Sequence, residues 1–167
     1  MINRVLLVDF ESADREAGKA SLTDMGCMVT SFGGNFESRM SAYGHKEAGK
    51  PFDAALINLF AFRDPASDQT YAEDRNDRPV PTGFELALRL NDLGITRVAV
   101  AGADRVLYRE FHSVLELQNA RPIRRNEGII LSLYGRSVVP FNGSVKDWGR
   151  IYQMLVEAAP YPVEEEA

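Results

Sequence analysis

Apolar residues gather in short, dense runs along this chain. Val5-Leu6-Leu7-Val8 is closed by Asp9, Cys27-Met28-Val29 leads into Thr30-Ser31, Phe52 to Leu59 surrounds Ala54-Ala55-Leu56-Ile57, and Val98-Ala99-Val100-Ala101 ends at Gly102. Runs of this length without polar alternation read as strands covered on both faces. Between them the spacing turns helical. Ser12 is a candidate cap for a helix whose Ala17, Ser21, Leu22 and Met25 face the sheet, with Asp14 and Glu16 near its positive end. Gly18 weakens that helix by about 1 kcal/mol relative to alanine, and Gly26 ends it. A modest helix is expected from Phe36 to about Tyr43. Thr82-x-x-Glu85 reads as a capping box ahead of Leu86, Leu90 and Leu93, and Asp104 caps a further helix with Leu107, Phe111, Val114 and Leu115 as its apolar positions. Val145, Trp148, Ile151, Tyr152 and Leu155, behind a Ser144 cap, form the clearest amphipathic pattern in the chain.

Two stretches break the rhythm. Phe60 to Pro81 holds 22 residues with little periodicity and many charges, long for a loop inside a compact domain. It leaves the carboxyl end of the central strand, and Phe60, Phe62 and Tyr71 give it apolar anchors, so it reads as a lid or partner loop; the plainer reading is a solvated loop. Asn119 to Glu127 reads as a polar, arginine-rich connection. Gly128-Ile129-Ile130-Leu131-Ser132-Leu133-Tyr134 is then either a fifth strand, or the first arm of a hairpin turning at Gly135-Arg136 with Ser137-Val138-Val139 returning. Strands alternating with helices give an α/β sandwich with a parallel sheet and right-handed crossovers.

Composition narrows the function classes. The 167 residues are 45% hydrophobic and 26% charged, which fits one globular domain over 1–159, interrupted by the 60–81 insertion. Residues 160–167 form a proline-broken acidic tail, expected to be disordered. A net charge of −5 argues against general nucleic-acid binding, although Arg105, Arg109, Arg121, Arg124 and Arg125 form a candidate basic patch. Cys27 alone supports neither a disulfide nor a cysteine metal cluster. No apolar run approaches the roughly 20 residues of a membrane span, and Met1 to Arg4 leads straight into a strand. A soluble cytoplasmic protein is expected, with no membrane contact and no cofactor.

The chemistry-bearing positions lie at the carboxyl ends of the strands, where open parallel sheets place their ligands. Asn58 ends the central strand, Asp9 the first and Gly102 the fourth. Asn58 is either a hydrogen-bonding lock or ligand contact, or a polar strand end satisfied locally. Asp9 is a weak candidate for a metal, because one carboxylate rarely holds Mg²⁺; a cap or local hydrogen bond is the plainer role. His45 and His112 stand without metal-ligand company. A small-molecule binder using the crevice over Asp9, Asn58 and Gly102 is the main alternative to a partner-binding module. Against it, Asp9-Phe10-Glu11-Ser12 offers acids where a phosphate needs backbone amides. No nucleophile stands with a base, so an enzyme is not expected. Phosphorylation on Asp53 or Asp64 is disfavoured by position.

The order of these pieces resembles the receiver domain of bacterial two-component response regulators. Val5 to Asp9 looks like the first receiver strand with its terminal acid, Phe52 to Asn58 like the third, Gly83-Phe84-Glu85-Leu86 like the start of the third helix, and Val139-Pro140-Phe141 like the Lys-Pro-Phe that follows the fifth strand. The resemblance implies a doubly wound three-layer sandwich with a five-stranded parallel sheet in the order 2-1-3-4-5. It also implies where phosphoryl chemistry would sit, and there the sequence departs. The second acid of the Mg²⁺ pair is Phe10, with Glu11 a misdirected substitute. The phosphoacceptor is Asn58, whose amide is no nucleophile toward a phosphoryl donor. The hydroxyl switch position is Gly102 and the lysine position is Val139. Asp9, Phe10, Glu11, Asn58, Gly102 and Val139 thus outline a degenerate phosphorylation pocket, expected to be a nearly uncharged crevice that folds without metal. The expectation is a non-enzymatic signalling module that binds a protein partner of its pathway. The resemblance also implies a homodimer through the face of the fourth helix, fifth strand and fifth helix, including Tyr152 if exposed.

Overall fold

The computed structural model describes residues 3–59, 82–102, 121–126, 128–134 and 145–158. In chain order these form β1 (Arg4–Val8), α1 (Ser12–Asp24), β2 (Met28–Phe32), α2 (Asn35–Glu47), β3 (Ala54–Asn58), α3 (Gly83–Asp92), β4 (Arg97–Gly102), β5 (Pro122–Arg125), β6 (Gly128–Tyr134) and α4 (Trp148–Glu157). The lid residues Phe60, Phe62 and Tyr71, the helix expected after Asp104, Val139 and the acidic tail lie outside the described residues.

The architecture is the expected α/β sandwich with a mostly parallel sheet, but the described residues form six strands rather than five, in the order β2-β1-β3-β4-β6-β5. The five parallel strands follow the expected winding, with β6 in fifth place beside β4. Gly128–Tyr134 is therefore the fifth parallel strand among the described residues, and the alternative returning strand Ser137-Val138-Val139 lies outside them. The hairpin partner of Gly128–Tyr134 precedes it: Pro122–Arg125 pairs antiparallel, Arg125 opposite Gly128. The Asn119–Glu127 stretch, read as a connection, thus contains an edge strand. Its polar residues and proline hid it, because an edge strand has no need to be apolar on both faces. Asn126 turns the hairpin with φ of 51°, a left-handed backbone that asparagine tolerates. Its Nδ2 donates to Asn91 Oδ1 at 2.9 Å, and Arg125 Nη2 pairs with Asp92 Oδ1 at 2.9 Å, tying the arm to the end of α3.

Two apolar layers sandwich the sheet. Leu6, Val8, Ala55, Ile57, Val98 and Val100 pack beneath α2 and α3, against Ala42, Leu86 and Leu90. The alternate residues Val5, Leu7, Ala54, Leu56, Ala99 and Leu131 pack beneath α1 and α4, against Leu22, Trp148, Ile151 and Leu155. Successive strand residues point to opposite faces, so each continuous apolar run fills both layers. Every residue of β3 is buried.

Helix ends and faces differ from expectation. α1 buries Asp14, Gly18 and Leu22, leaving Ala17 and Met25 exposed. The cap of α1 is Glu11 and that of α3 is Thr82, neither with a side-chain capping bond. Thr82 Oγ1 instead accepts from Asn35 Nδ2 at 2.8 Å, and Glu85 pairs with Arg89. α4 begins at Trp148, where Asp147 accepts from the Arg150 N–H at 3.0 Å. Gly18 has a packing reason: a Cβ there would stand 2.5 Å from Trp148 Cδ1 and 3.0 Å from Leu7 Cδ2. The glycine that weakens α1 is what lets the indole lie against it.

Candidate functional site: a carboxylate held by four donors

β1 and β3 lie side by side with Val8 opposite Ile57, so the residues that follow, Asp9 and Asn58, meet at the carboxyl edge of the sheet. Asp9 is fully buried and Asn58 is 4% exposed. A carboxylate without water must find its donors in the protein. Asp9 Oδ1 accepts from Asn58 Nδ2 at 2.7 Å and from the Glu11 N–H at 3.1 Å. Asp9 Oδ2 accepts from Lys146 Nζ at 3.2 Å and from Trp148 Nε1 at 3.1 Å. Arg15 Nη1 donates to the Asp9 carbonyl at 2.7 Å.

Lys146 is itself 7% exposed and reaches a second acid, with Nζ 2.5 Å from Asp14 Oδ2. Asp14 sits in the first turn of α1, one turn before Gly18, and is 8% exposed. The crevice is thus far from uncharged: two carboxylates and one ammonium are buried together. Sequence reasoning missed Lys146 because it stands in a polar stretch, where a lysine reads as solvated. The signal available was the buried acid at the end of β1, which needs a counter-ion from somewhere. Burial pushes the Asp9 carboxyl above its ordinary value; the Lys146 charge and the Asn58 and Glu11 hydrogen bonds pull the other way without cancelling it.

The other candidate positions are distributed as follows. Phe10 is half-buried against the apolar layer under α2 and α3. Glu11 is exposed and contributes its backbone N–H rather than its carboxylate. Gly102 ends β4, buried, opposite Tyr134. Tyr152 is 7% exposed and its hydroxyl accepts from Asn3 Nδ2 at 2.8 Å, so it braces the core and is no surface contact.

The Mg²⁺ implied by the resemblance does not fit these side chains. Mg²⁺ takes near-octahedral oxygen ligands at about 2.0–2.1 Å. Both oxygens of Asp9 already face N–H donors, one of them a cation. Neither Phe10 nor Glu11 supplies a second carboxylate, the nearby Asp14 carboxylate is already paired with Lys146, and Asn58 presents its NH₂ to Asp9. Among the described residues no three His, Cys, Asp or Glu side chains gather as metal ligands.

Comparison with solved structures places this geometry in a known fold. A response regulator receiver protein from Sinorhizobium medicae superposes with a TM-score of 0.50 at 17% identity, covering 93% of this chain and 95% of that one. The chain has the receiver fold. Two further receivers are similar at lower scores. The chemotaxis response regulator CheY4 of Vibrio cholerae has a TM-score of 0.41 at 20% identity over 66% of this chain and 76% of its own. The receiver domain of the histidine kinase CKI1 from Arabidopsis thaliana, solved with Mg²⁺ and BeF₃⁻, has 0.44 at 17% over 68% and 74%. No family model matches the sequence, and no curated protein does. Among the described residues no helix is long and apolar enough to cross a membrane.

Proposed function

We propose that this protein is a receiver-like module of two-component signalling that takes no phosphoryl group at the end of β3 and acts by protein–protein contact rather than as an enzyme. The observation that carries the reading is the Asn58–Asp9 hydrogen bond. The residue at the receiver's acceptor position is a neutral amide, and it donates to the neighbouring acid. An amide nitrogen is not a nucleophile toward a phosphoryl donor, and an acid saturated by four donors has no lone pair left for a metal-bound phosphoryl group. What the receiver scaffold retains is a surface, available to a pathway partner or to a second copy of the chain.

The test is thermal unfolding with and without Mg²⁺ plus beryllofluoride, a mimic of aspartyl phosphate. A ligand that binds only the folded state adds about 2.7 kcal/mol at about 100 times its Kd. The expected result is an unchanged melting temperature. A rise that disappears in Asp9→Ala would sink the reading.

A further inference from the structure

We propose that the Lys146 ammonium is a built-in cation that takes the place of a divalent metal at Asp9 and, in doing so, fixes the start of α4 to the end of β1 and the start of α1. The inference goes beyond the signalling reading and does not depend on it.

Three observations carry it. First, the charge arrangement is that of a cation site already filled. Nζ bridges Asp9 Oδ2 and Asp14 Oδ2, from two different elements, at 3.2 and 2.5 Å. The Lys146 N–H also approaches Asp14 Oδ1 at 3.4 Å. Second, an aromatic ring stands beside the ammonium: the Trp148 centroid lies 6.0 Å from Nζ, at the limit of a cation–π contact. The same indole donates to Asp9, so Lys146 and Trp148 grip one carboxylate oxygen together. Third, the helix that carries this grip is docked closely. Gly18 on α1 leaves room for the indole, and a Cβ at Gly149 on α4 would collide with Ser21 Oγ. A metal at Asp9 would have to displace the ammonium, and the ammonium cannot diffuse away. Displaced from both carboxylates, it would be a buried charge without its partners, which is costly.

Removing the ammonium leaves Asp9 and Asp14 facing each other without their counter-ion, so a cation site that Lys146 fills should open to a metal in its absence. The chain has one tryptophan, so the Trp148 indole N–H gives a single NMR signal within the site. Mn²⁺, whose paramagnetism broadens nearby signals, is the probe. In the native protein the indole signal should survive added Mn²⁺. In Lys146→Met it should broaden, with Mn²⁺ bound at least about tenfold more tightly, and the double variant Lys146→Met/Asp9→Asn should lose that binding. If Lys146→Met is unfolded alone, Mn²⁺ or Mg²⁺ should restore its folded spectrum. Lys146→Arg, which keeps the charge, should remain insensitive. Broadening in the native protein that Asp9→Asn abolishes would overturn the proposal. So would a Lys146→Met protein, folded or unfolded, that ignores both metals. Metal binding to the native protein without any response to beryllofluoride would remove this inference and leave the signalling reading standing.

Discussion

The two faces of the sheet are sealed by different means. Beneath α2 and α3 the contact is almost wholly apolar: Leu6, Ile57, Val98 and Val100 against Leu86 and Leu90, with Phe10 and Phe32 at its margin. Beneath α1 and α4 the apolar layer of Leu7, Leu56, Leu22 and Ile151 is continued at one end by Asp9, Asp14 and Lys146. The first face accepts any helix of suitable shape and hydrophobicity, because dispersion and desolvation are non-directional. The second accepts one placement of α4, because Lys146 and Trp148 must reach the same Asp9 oxygen while Lys146 also meets Asp14. Buried ion clusters add little net stability yet are costly to break from one side. The difference therefore lies less in how strongly the faces are held than in how narrowly each is specified.

Breaking each face should expose that contrast. Lys146→Met strands two carboxylates and should cost about 3–5 kcal/mol, measured by urea denaturation in metal-free buffer. Leu90→Ala, at a fully buried position on the opposite face, should cost about 2–5 kcal/mol through lost burial and a cavity, and added Mg²⁺ should recover none of it. Gly18→Ala presses a methyl group into Trp148. Overpacking of about 1–3 kcal/mol, opposed by about 1 kcal/mol of better helix propensity, should leave a net loss of up to about 2 kcal/mol with a change in tryptophan fluorescence.

The smallest effect separates the faces by pH. Burial raises the native Asp9 pKa above its ordinary value of 3.8, so the folded state holds the proton more firmly than the unfolded chain does. The contribution of Asp9 to stability is then fully present below about 3.8 and is lost as pH rises through the native value. The stability of the native protein relative to Asp9→Asn should fall as pH increases from 3.8 upward, while the Leu90→Ala difference stays flat. Denaturation midpoints across that range check both, and an Asp9 difference that rises with pH would contradict the burial argument.

The apolar face was the legible one. Runs such as Ala54-Ala55-Leu56-Ile57 cannot be other than buried, and the spacing of Leu86 and Leu90 follows from a helix lying on them. The charged end was not legible, for reasons that can be named. The inward face of α1 is an acid, a glycine and one leucine, so periodicity preferred Ala17 and Met25. Lys146 stands 137 residues from Asp9, and nothing local marks it as buried. Trp148 lies on the buried side that the spacing of the last helix predicts, but its hydrogen bond to Asp9 has no trace in an apolar pattern. The receiver resemblance identified Asp9 and Asn58 as the site and directed attention to Val139 for the missing charge. The cation that reaches Asp9 is seven residues further on, at the entrance to α4.

The short arm β5 has a consequence for the life of the protein in a crowded solution. Gly128-Ile129-Ile130-Leu131-Ser132-Leu133-Tyr134 is a seven-residue, uncharged, proline-free segment rich in β-formers, the composition that stacks into aggregates when its edge is bare. Pairing with Pro122–Arg125 covers that edge along Gly128–Leu131 and, among the described residues, puts a proline and two arginines outermost there, residues that discourage a further strand from joining. Those four residues, which contribute almost nothing to the core, act as a gatekeeper for the strand beside them. Cutting them away would turn Gly128–Tyr134 into a template for self-association.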